Sequence, residues 1–248
     1  MPLGEAFIGC ASWSLPKPLQ PGFAEGDSHL GRYATRLNVA EINSSFHRPH
    51  APATYARWAD AVPIGFGFCV KLPKAITHGL RLAGCDALVD EFLLQAQGLG
   101  DKLACLLVQL PPSFGFDGDN AGKFFAALRE RWAGRVALEP RHDSWFGPQA
   151  DALLVHHRIA RVLADPVRCA GGEAPGGWPE FVYLRLHGSP RMYYSSYEPA
   201  WLGTLAARIA VELRGGRDVW CIFDNTASGA ATHDALALRV ALDEELRR

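Results

Sequence analysis

Charged and amide side chains end short apolar runs along this 248-residue chain, and their types suit acid–base chemistry. Glu139 and Asp165 are our candidates for general acid and base, because they end two consecutive runs. Lys71 is a third catalytic candidate, as an electrophile, an anion anchor or, with a depressed pKa, a base or Schiff-base amine. The remaining candidates would bind substrate: Glu41, Asn43, His78, Gln109, Arg141, His142, Trp145, Arg185, His187, Tyr194 and Asn225.

The spacing of these candidates indicates a shared chamber. Residues two apart on a strand point to the same face. Three pairs have this spacing: Glu41 and Asn43, Glu139 and Arg141, and Arg185 and His187. Because all the charges collect at one end of the runs, the pattern favours a reaction site. The alternative is a structural ion network in which Lys71 and Arg141 neutralise three carboxylates: Glu41, Glu139 and Asp165.

Eight apolar runs rich in branched residues must position these side chains, and we interpret each run as a β-strand. They cover residues 7–12, 39–44, 67–73, 103–111, 135–141, 159–165, 181–187 and 218–225. Eight strands alternating with helices predict an α/β fold, a single (β/α)8 TIM-like barrel over residues 1–248, with its site at the C-terminal ends of the strands. A doubly wound open sheet is the alternative, but no GxGxxG sequence follows the first run.

Segments with helical periodicity separate most of the runs. They cover residues 29–37, 52–62, 86–102, 119–133, 148–158, 198–214 and 227–247. The Gly- and Pro-rich segment 166–180 predicts a long loop between strands six and seven, which would replace a helix or cover the chamber. Small residues at 225–235 predict an anion site at a helix N-terminus or, equally, a turn chosen for tight packing.

Composition narrows the class of protein. A formal net charge of −1 argues against a surface devoted to nucleic acid. None of the six cysteines forms a CxxC pair and four lie in predicted strands, which favours reduced thiols and a cytoplasmic location. We find no signal peptide and no apolar stretch of membrane-spanning length, so no membrane association is predicted. Nothing in the sequence indicates an oligomeric state.

Seven segments resemble the conserved blocks of the DUF72 family, also called YecE-like proteins. They read IGCASWS, VAEINSSFHR, GFCVKLPKAITH, LLVQLPPSF, ALEPRHDSW, YLRLHGS and FDNTASGAATHDA. The resemblance covers nearly the whole chain and implies a TIM-like barrel in a family without an established activity. Its blocks contain most of the strand-end candidates. The chain departs from the family pattern at His47, which would alter the chamber mouth, and at Pro140, which would alter outer packing.

Three functions remain open at this point. The leading hypothesis is an enzyme, a hydrolase or an isomerase, that uses acid–base chemistry on a small polar substrate such as a sugar or phosphorylated compound. The second is a metal-assisted phosphodiesterase or isomerase resembling the endonuclease IV and xylose isomerase barrels, with ligands from Glu41, Glu139, Asp165 and His187. No HxH, HExxH or DxD motif supports a metal. The third is non-catalytic binding of a metabolite or nucleic acid, and the net charge disfavours nucleic acid.

Overall fold

The computed structural model describes residues 2–248, which form one barrel-like sheet of ten strands. The strands are β1 (Ala6–Cys10), β2 (Val39–Ile42), β3 (Gly67–Lys71), β4 (Leu103–Gln109), β5 (Arg135–Glu139), β6 (Ile159–Arg161), β7 (Leu163–Asp165), β8 (Gly176–Gly177), β9 (Phe181–Leu186) and β10 (Asp218–Phe223). Their order is β7-β9-β10-β1-β2-β3-β4-β5-β6-β8. Only the two-residue β8 pairs antiparallel among these strands.

The sheet closes through the sixth predicted strand, 159–165, which is interrupted at Val162. Its first half, β6, pairs with β5, and its second half, β7, pairs with β9. The backbone N–H of Val162 donates to Leu138 O at 2.8 Å and so continues the pairing with β5. The eight predicted strands are therefore all present, and the TIM-like barrel is confirmed.

Seven α-helices surround the sheet in the described residues. They are α1 (His29–Tyr33), α2 (Pro52–Asp60), α3 (Asp86–Ala96), α4 (Gly118–Arg131), α5 (Pro148–His156), α6 (Pro199–Arg214) and α7 (Ala230–Leu246). The third ends earlier than predicted, because a 3-10 segment with Gly100 at φ 55° follows it. The fourth begins one residue before the predicted segment and is capped by the side chain of Asp117. Segment 166–180 contains no helix, as predicted.

Alternation along the strands separates two apolar cores. Outward side chains pack against the helices, and inward ones fill the barrel. The ring of Trp220 lies 5.0 Å from that of Phe7 and 6.2 Å from that of Tyr183, so aromatic packing closes the N-terminal half of the barrel. Along β9 the inward residues change from Phe181 and Tyr183 to Arg185. The buried polar side chains of the barrel interior therefore lie towards its C-terminal end, whereas the half-buried pair of Arg135 and Asp218 lies at the N-terminal end.

Two further properties of the described residues match the sequence. All six cysteines are buried and free. No helix among residues 2–248 combines the length and apolar character that a bilayer crossing requires.

Candidate active site

Arg185 lies at the centre of the C-terminal end of the barrel and is fully buried. Its guanidinium donates to Glu41 Oε1 at 2.6 Å and to Glu139 Oε2 at 2.8 Å, and it lies 3.1 Å from Asp224 Oδ2. Burial alone would lower the pKa of Arg185, but Asp224, Glu41 and Glu139 together raise it well above its ordinary value. The Arg185 cation therefore contacts three carboxylates, each of which lies on, or directly after, a different strand.

Glu139 ends β5 and accepts several hydrogen bonds. Gln109 Nε2 donates at 3.0 Å and Arg141 Nε at 2.9 Å, in addition to Arg185. Burial would raise the pKa of Glu139, but the charges of Arg185 and His187 hold it well below the usual range. Glu139 is thus ionised at neutral pH, which suits a base or an orienting carboxylate better than a general acid.

His187 lies between two carboxylates just beyond β9. Its Nδ1 is 3.0 Å from Asp224 Oδ2, and its Nε2 is 3.3 Å from Glu139 Oε1. The geometry at Nε2 is not that of a hydrogen bond, and this buried nitrogen has no other partner among the described residues. Burial lowers the pKa of His187, but Glu139 and Asp224 more than compensate and raise it above 6.5. The protonated form of this imidazole is therefore stabilised relative to that of an ordinary histidine.

Lys71 ends β3 and is the unpaired cation of this group. The residue is only 8% exposed, and its Nζ lies 4.1 Å from the centre of the Phe46 ring. No carboxylate in the described part of the chain lies within 4.0 Å of this nitrogen. Burial, followed by repulsion from Arg185, lowers the pKa of Lys71 to about 8. An ion network is therefore present, but it differs from the alternative considered for the sequence, because Arg185 contacts the carboxylates and Lys71 does not.

Positive side chains also gather around His78, which lies in a turn of π-helix over Ala75–Gly79 after β3. Its ring is 5.0 Å from Phe46, and its Nδ1 is 2.8 Å from Thr77 Oγ1. Burial lowers the pKa of His78, and repulsion from Lys71, Lys74 and Arg141 lowers it further. We call Lys71, Lys74 and Arg141 the cationic rim.

Two clefts open beside the central cluster. The first has a volume of about 340 Å³ and is lined by Glu139, Arg141, Phe146, Val167, His187 and Met192, among others. The second, of about 410 Å³, is lined by residues that include Ser12, Trp13, His29, Glu41 and Asn43. The first combines polar groups on one side with apolar side chains on the other, an arrangement typical of small-molecule sites.

Asp165 lies outside this site. In the β7–β9 pairing, Ala164 is the partner of inward-facing Arg185, and Asp165 is the partner of outward-facing Leu186. Its carboxylate accepts a hydrogen bond from the Tyr197 hydroxyl at 2.9 Å. The structure therefore does not bring Asp165 together with Glu139, as the predicted acid–base pair would require. The carboxylate that does lie close to Glu139 is that of Asp224, because both contact the guanidinium of Arg185.

Asn225 also faces outward, because it follows inward-facing Asp224. Its Nδ2 donates to Ser195 O at 2.8 Å and to Asp234 Oδ2 at 2.7 Å. Asn225 thus anchors the loop after β9 to α7, and the backbone of Ala231 closes the 225–235 segment by donating to Asn225 O at 3.2 Å. These contacts favour the packing interpretation of that segment over the anion site.

Three more candidates lie away from the central cluster. Trp145 is fully buried and donates from Nε1 to Phe114 O at 2.9 Å, so it packs beneath the loops. His142 is exposed, and its Nδ1 caps a 3-10 turn by accepting from the backbone of Ser144 at 3.3 Å. Tyr194 is exposed, with the guanidinium of Arg191 at 3.9 Å from its ring centre. Of these, only His142 lines the first cleft.

Three residues of the central cluster were not among the site candidates. Asp224 forms an ion pair with Arg185, and the Tyr183 hydroxyl donates to Glu41 Oε2 at 2.8 Å. The ring of Phe46 makes a cation–π contact with the Lys71 ammonium. Alternation from Trp220 through Ile222 to Asp224 is the signal that identifies Asp224. Phe46 ends a single 3-10 turn after β2, which is too short for periodicity to give a signal.

Asp165→Asn tests this placement. We expect a loss of about 1 kcal/mol in the free energy of unfolding, because the amide oxygen still accepts from Tyr197. Glu139→Gln should lose about 3 kcal/mol or more, because it leaves buried Arg185 partly unpaired. Urea denaturation of both variants measures the difference, and equal losses would place Asp165 in the central cluster after all.

The residues proposed for a metal do not fit one. Glu41 and Glu139 both accept hydrogen bonds from Arg185, whose guanidinium occupies the space between them. Asp165 faces away, and His187 alone supplies a free nitrogen. Among residues 2–248, no group of three or more His, Cys, Asp or Glu side chains has a geometry suited to a metal ion. We therefore derive no step through a metal.

Comparison with known proteins agrees with the resemblance seen in sequence. The family model described as "Protein of unknown function DUF72" matches residues 7–248. The UPF0759 protein YecE of Escherichia coli K12 is 34% identical over 172 residues, which is 66% of this chain and 61% of that protein. The UPF0759 protein YunF of Bacillus subtilis 168 is 24% identical over 148 residues, 57% of this chain and 52% of that protein.

Two crystal structures of DUF72 family proteins share the fold. That from Enterococcus faecalis V583 has a TM-score of 0.80 at 22% identity and covers 96% of this chain and 95% of its own. That from Thermotoga maritima MSB8 has a TM-score of 0.76 at 23% identity, with 97% and 100% coverage. The family match over nearly the whole chain and the shared fold lead to one conclusion: this chain belongs to the DUF72 family.

Proposed function

We propose that this chain is an enzyme that performs acid–base chemistry on a small anionic, polar substrate, such as a phosphorylated compound or a sugar acid, at the C-terminal face of the barrel. One observation carries the proposal: the Lys71 ammonium is buried at the mouth with no counter-ion among residues 2–248, although three carboxylates lie nearby. Burying an unpaired charge is unfavourable, so a purely structural network would have paired it.

The cationic rim supports an anionic substrate. Lys71, Lys74 and Arg141 all lower the pKa of His78, so the three positive charges act on the same position at the barrel mouth. Arg141 forms an ion pair with Glu139, but 28% of its side chain is still exposed, and it lines the first cleft. A phosphate or carboxylate bound here would relieve the repulsion, and guanidinium and ammonium groups are the usual partners of such anions.

His187 supports the proton-transfer half of the proposal. Asp224 fixes the imidazole from the Nδ1 side, while the unpartnered Nε2 lies beside the first cleft and close to Glu139. This arrangement orients one nitrogen toward a ligand and stabilises the protonated ring, as an acid–base histidine requires. In this proposal His187 replaces Asp165 as the proton carrier, and Glu139 and Asp224 position it.

Hydrolysis and isomerisation both need these elements, so the proposal covers either reaction. The pairing of apolar and polar walls in the first cleft fits a small organic molecule rather than a bare ion. The six buried thiols support a reducing compartment, and we place the reaction in the cytoplasm.

Proton NMR in D₂O tests the function whichever of these reactions the enzyme performs. Short sugar phosphates, phosphodiesters, hydroxy acids and keto acids are each incubated with wild type, with His187→Asn and with the surface control Lys123→Met. Hydrolysis, isomerisation and deuterium exchange all alter the spectrum. We expect wild type and the control to act on at least one compound, and His187→Asn to be about 10²- to 10⁴-fold slower.

Two results would overturn the proposal. In the first, wild type alters no compound of the panel, and no resonance of any compound broadens or shifts when wild type is added. The other is a His187→Asn variant as active as wild type while folded, as judged by its circular dichroism spectrum.

A further inference from the structure

We propose that Lys71 is a nucleophile that forms an imine with small aldehydes or ketones carrying an anionic group, an inference that rests on the proposed function. It names the substrate class of the same site. The geometry is that of a reactive amine: Lys71 ends a barrel strand, lies against the Phe46 face and has no carboxylate partner in the part of the chain that the structure describes. The other described lysine that is held internally, Lys102, instead donates to Ala59 O and Val62 O, so its lone pair is not presented to a ligand.

Arg185 makes the amine available. It occupies Glu41, Glu139 and Asp224, which would otherwise pair with Lys71, and its own charge repels a proton from Lys71. With a pKa of about 8, about half of the Lys71 side chains are neutral amines at pH 8. An ordinary lysine has a pKa near 10.4, so under about 1% of it is neutral at that pH. Only the neutral amine attacks a carbonyl.

The step balances without an oxidant or a reductant. The Lys71 nitrogen bonds to the carbonyl carbon, the carbonyl electron pair moves to oxygen, and oxygen takes the proton that nitrogen releases. The hydroxyl then accepts a proton from the His187 imidazolium and leaves as water, while the nitrogen lone pair forms the C=N bond. The products are a protonated imine, one water and a neutral imidazole.

The surroundings of Lys71 suit this product. A protonated imine has the same charge as the lysine it replaces, and it can keep the contact with the Phe46 ring. The nearby carboxylates also stabilise it, because each of them raises the proton affinity at this nitrogen. Arg141 and Lys74 remain to hold an anionic group on the substrate, and this selects charged carbonyl compounds over neutral ones.

Borohydride trapping tests the inference, because it converts an imine into a stable secondary amine. The full chain is incubated with glyoxylate, pyruvate, glycolaldehyde phosphate or glycolaldehyde, treated with sodium borohydride and mapped by peptide mass spectrometry. We expect Lys71 to be labelled at least tenfold faster than exposed Lys123 at pH 7.5, and glycolaldehyde phosphate to label it faster than glycolaldehyde. Labelling of Lys71 should rise with a midpoint near pH 8. In Lys71→Arg, total labelling should fall to that of the surface lysines.

Lys71 labelled no faster than Lys123 with every probe would overturn the inference. The NMR panel in D₂O separates that failure from failure of the proposed function. If wild type acts on a compound of the panel but Lys71 is never trapped, acid–base catalysis stands and imine formation is wrong.

Discussion

Arg185→Met is expected to remove about 3–5 kcal/mol or more from the free energy of unfolding at pH 7. Arg185 is fully buried and contacts Glu41, Glu139 and Asp224, so its loss leaves three buried carboxylates without their shared cation. Removing one member of a buried ion pair has an effect of this size, and whole domains have only about 5–15 kcal/mol of stability. The variant should therefore keep only part of the wild-type stability and unfold at a much lower urea concentration. Urea denaturation monitored by circular dichroism measures the loss.

Arg161→Met is the matched control for Arg185→Met. Arg161 is also buried, but its only carboxylate partner, Asp151, is 3.8 Å away, and it donates to Gly171 O at 3.1 Å. We expect it to lose about 1–2 kcal/mol. If both variants were equally stable, Arg185 would not be the cation that holds the barrel mouth together.

Acid should reduce the difference in the free energy of unfolding between wild type and Arg185→Met. Glu139 and Asp224 have folded-state pKa values below their ordinary values of 4.5 and 3.8. Their stabilising contribution is therefore present above those ordinary values and is lost as pH falls through the lower folded-state values. In the variant these carboxylates lack the Arg185 cation that stabilises their ionised form, so they bind protons more readily. Denaturation between pH 7 and pH 3 measures this convergence.

Lys71→Met is expected to stabilise the protein at pH 7, by up to about 3 kcal/mol. This limit corresponds to the displacement of the Lys71 pKa from 10.5 to about 8, at about 1.4 kcal/mol per pKa unit. Methionine keeps most of the apolar stem and can retain contact with Phe46. The same variant should lose the activity that the NMR panel detects. A gain in stability with a loss of function is typical of a site that maintains an unfavourable charge for its chemistry.

The stabilisation should depend on pH with a defined sign. Lys71 is a base whose folded-state pKa is lower than its unfolded-state pKa, so the unfolded state binds more protons between about pH 8 and pH 10.5. The penalty of the buried charge is fully present below pH 8 and disappears as pH rises through that window. The advantage of Lys71→Met should shrink accordingly, while exposed Lys123→Met should match wild type throughout. A Lys71→Met variant less stable than wild type at pH 7 would contradict an unpaired ammonium.

The barrel and half of its site could be predicted from the sequence because both depend on strand periodicity. Glu41 and Asn43 share one face, as do Arg185 and His187, and each pair does converge at the C-terminal end. Spacing by two within a strand determines which residues lie together, and the pattern of apolar runs identifies the strands.

The errors arise where periodicity does not decide which face is inward. Asp165 follows inward-facing Ala164, and Asn225 follows inward-facing Asp224. Because neighbouring residues on a strand point to opposite faces, Asp165 and Asn225 point outward, towards the helices. Trp145 lies in a loop segment, where burial depends on contacts with distant residues.

The pairing of charges could not be predicted either, and for a different reason. The sequence contains enough cations to neutralise Glu139 in several ways, with Lys71, Arg141 and Arg185 all on inward faces. The planar guanidinium of Arg185 reaches three carboxylates at once, which a lysine ammonium cannot match in geometry. The functional consequence, a free amine at Lys71, follows only from the distances.

The most direct test is a pH titration of the Lys71 side chain by NMR. The chain has five lysines, Lys17, Lys71, Lys74, Lys102 and Lys123, so ¹³C-labelled lysine gives five resonances, and Lys71→Met assigns the relevant one. The structure predicts a midpoint near pH 8 for Lys71. A midpoint near 10.5, like that of an exposed lysine, would mean that the ammonium is paired or solvated and would contradict the central claim.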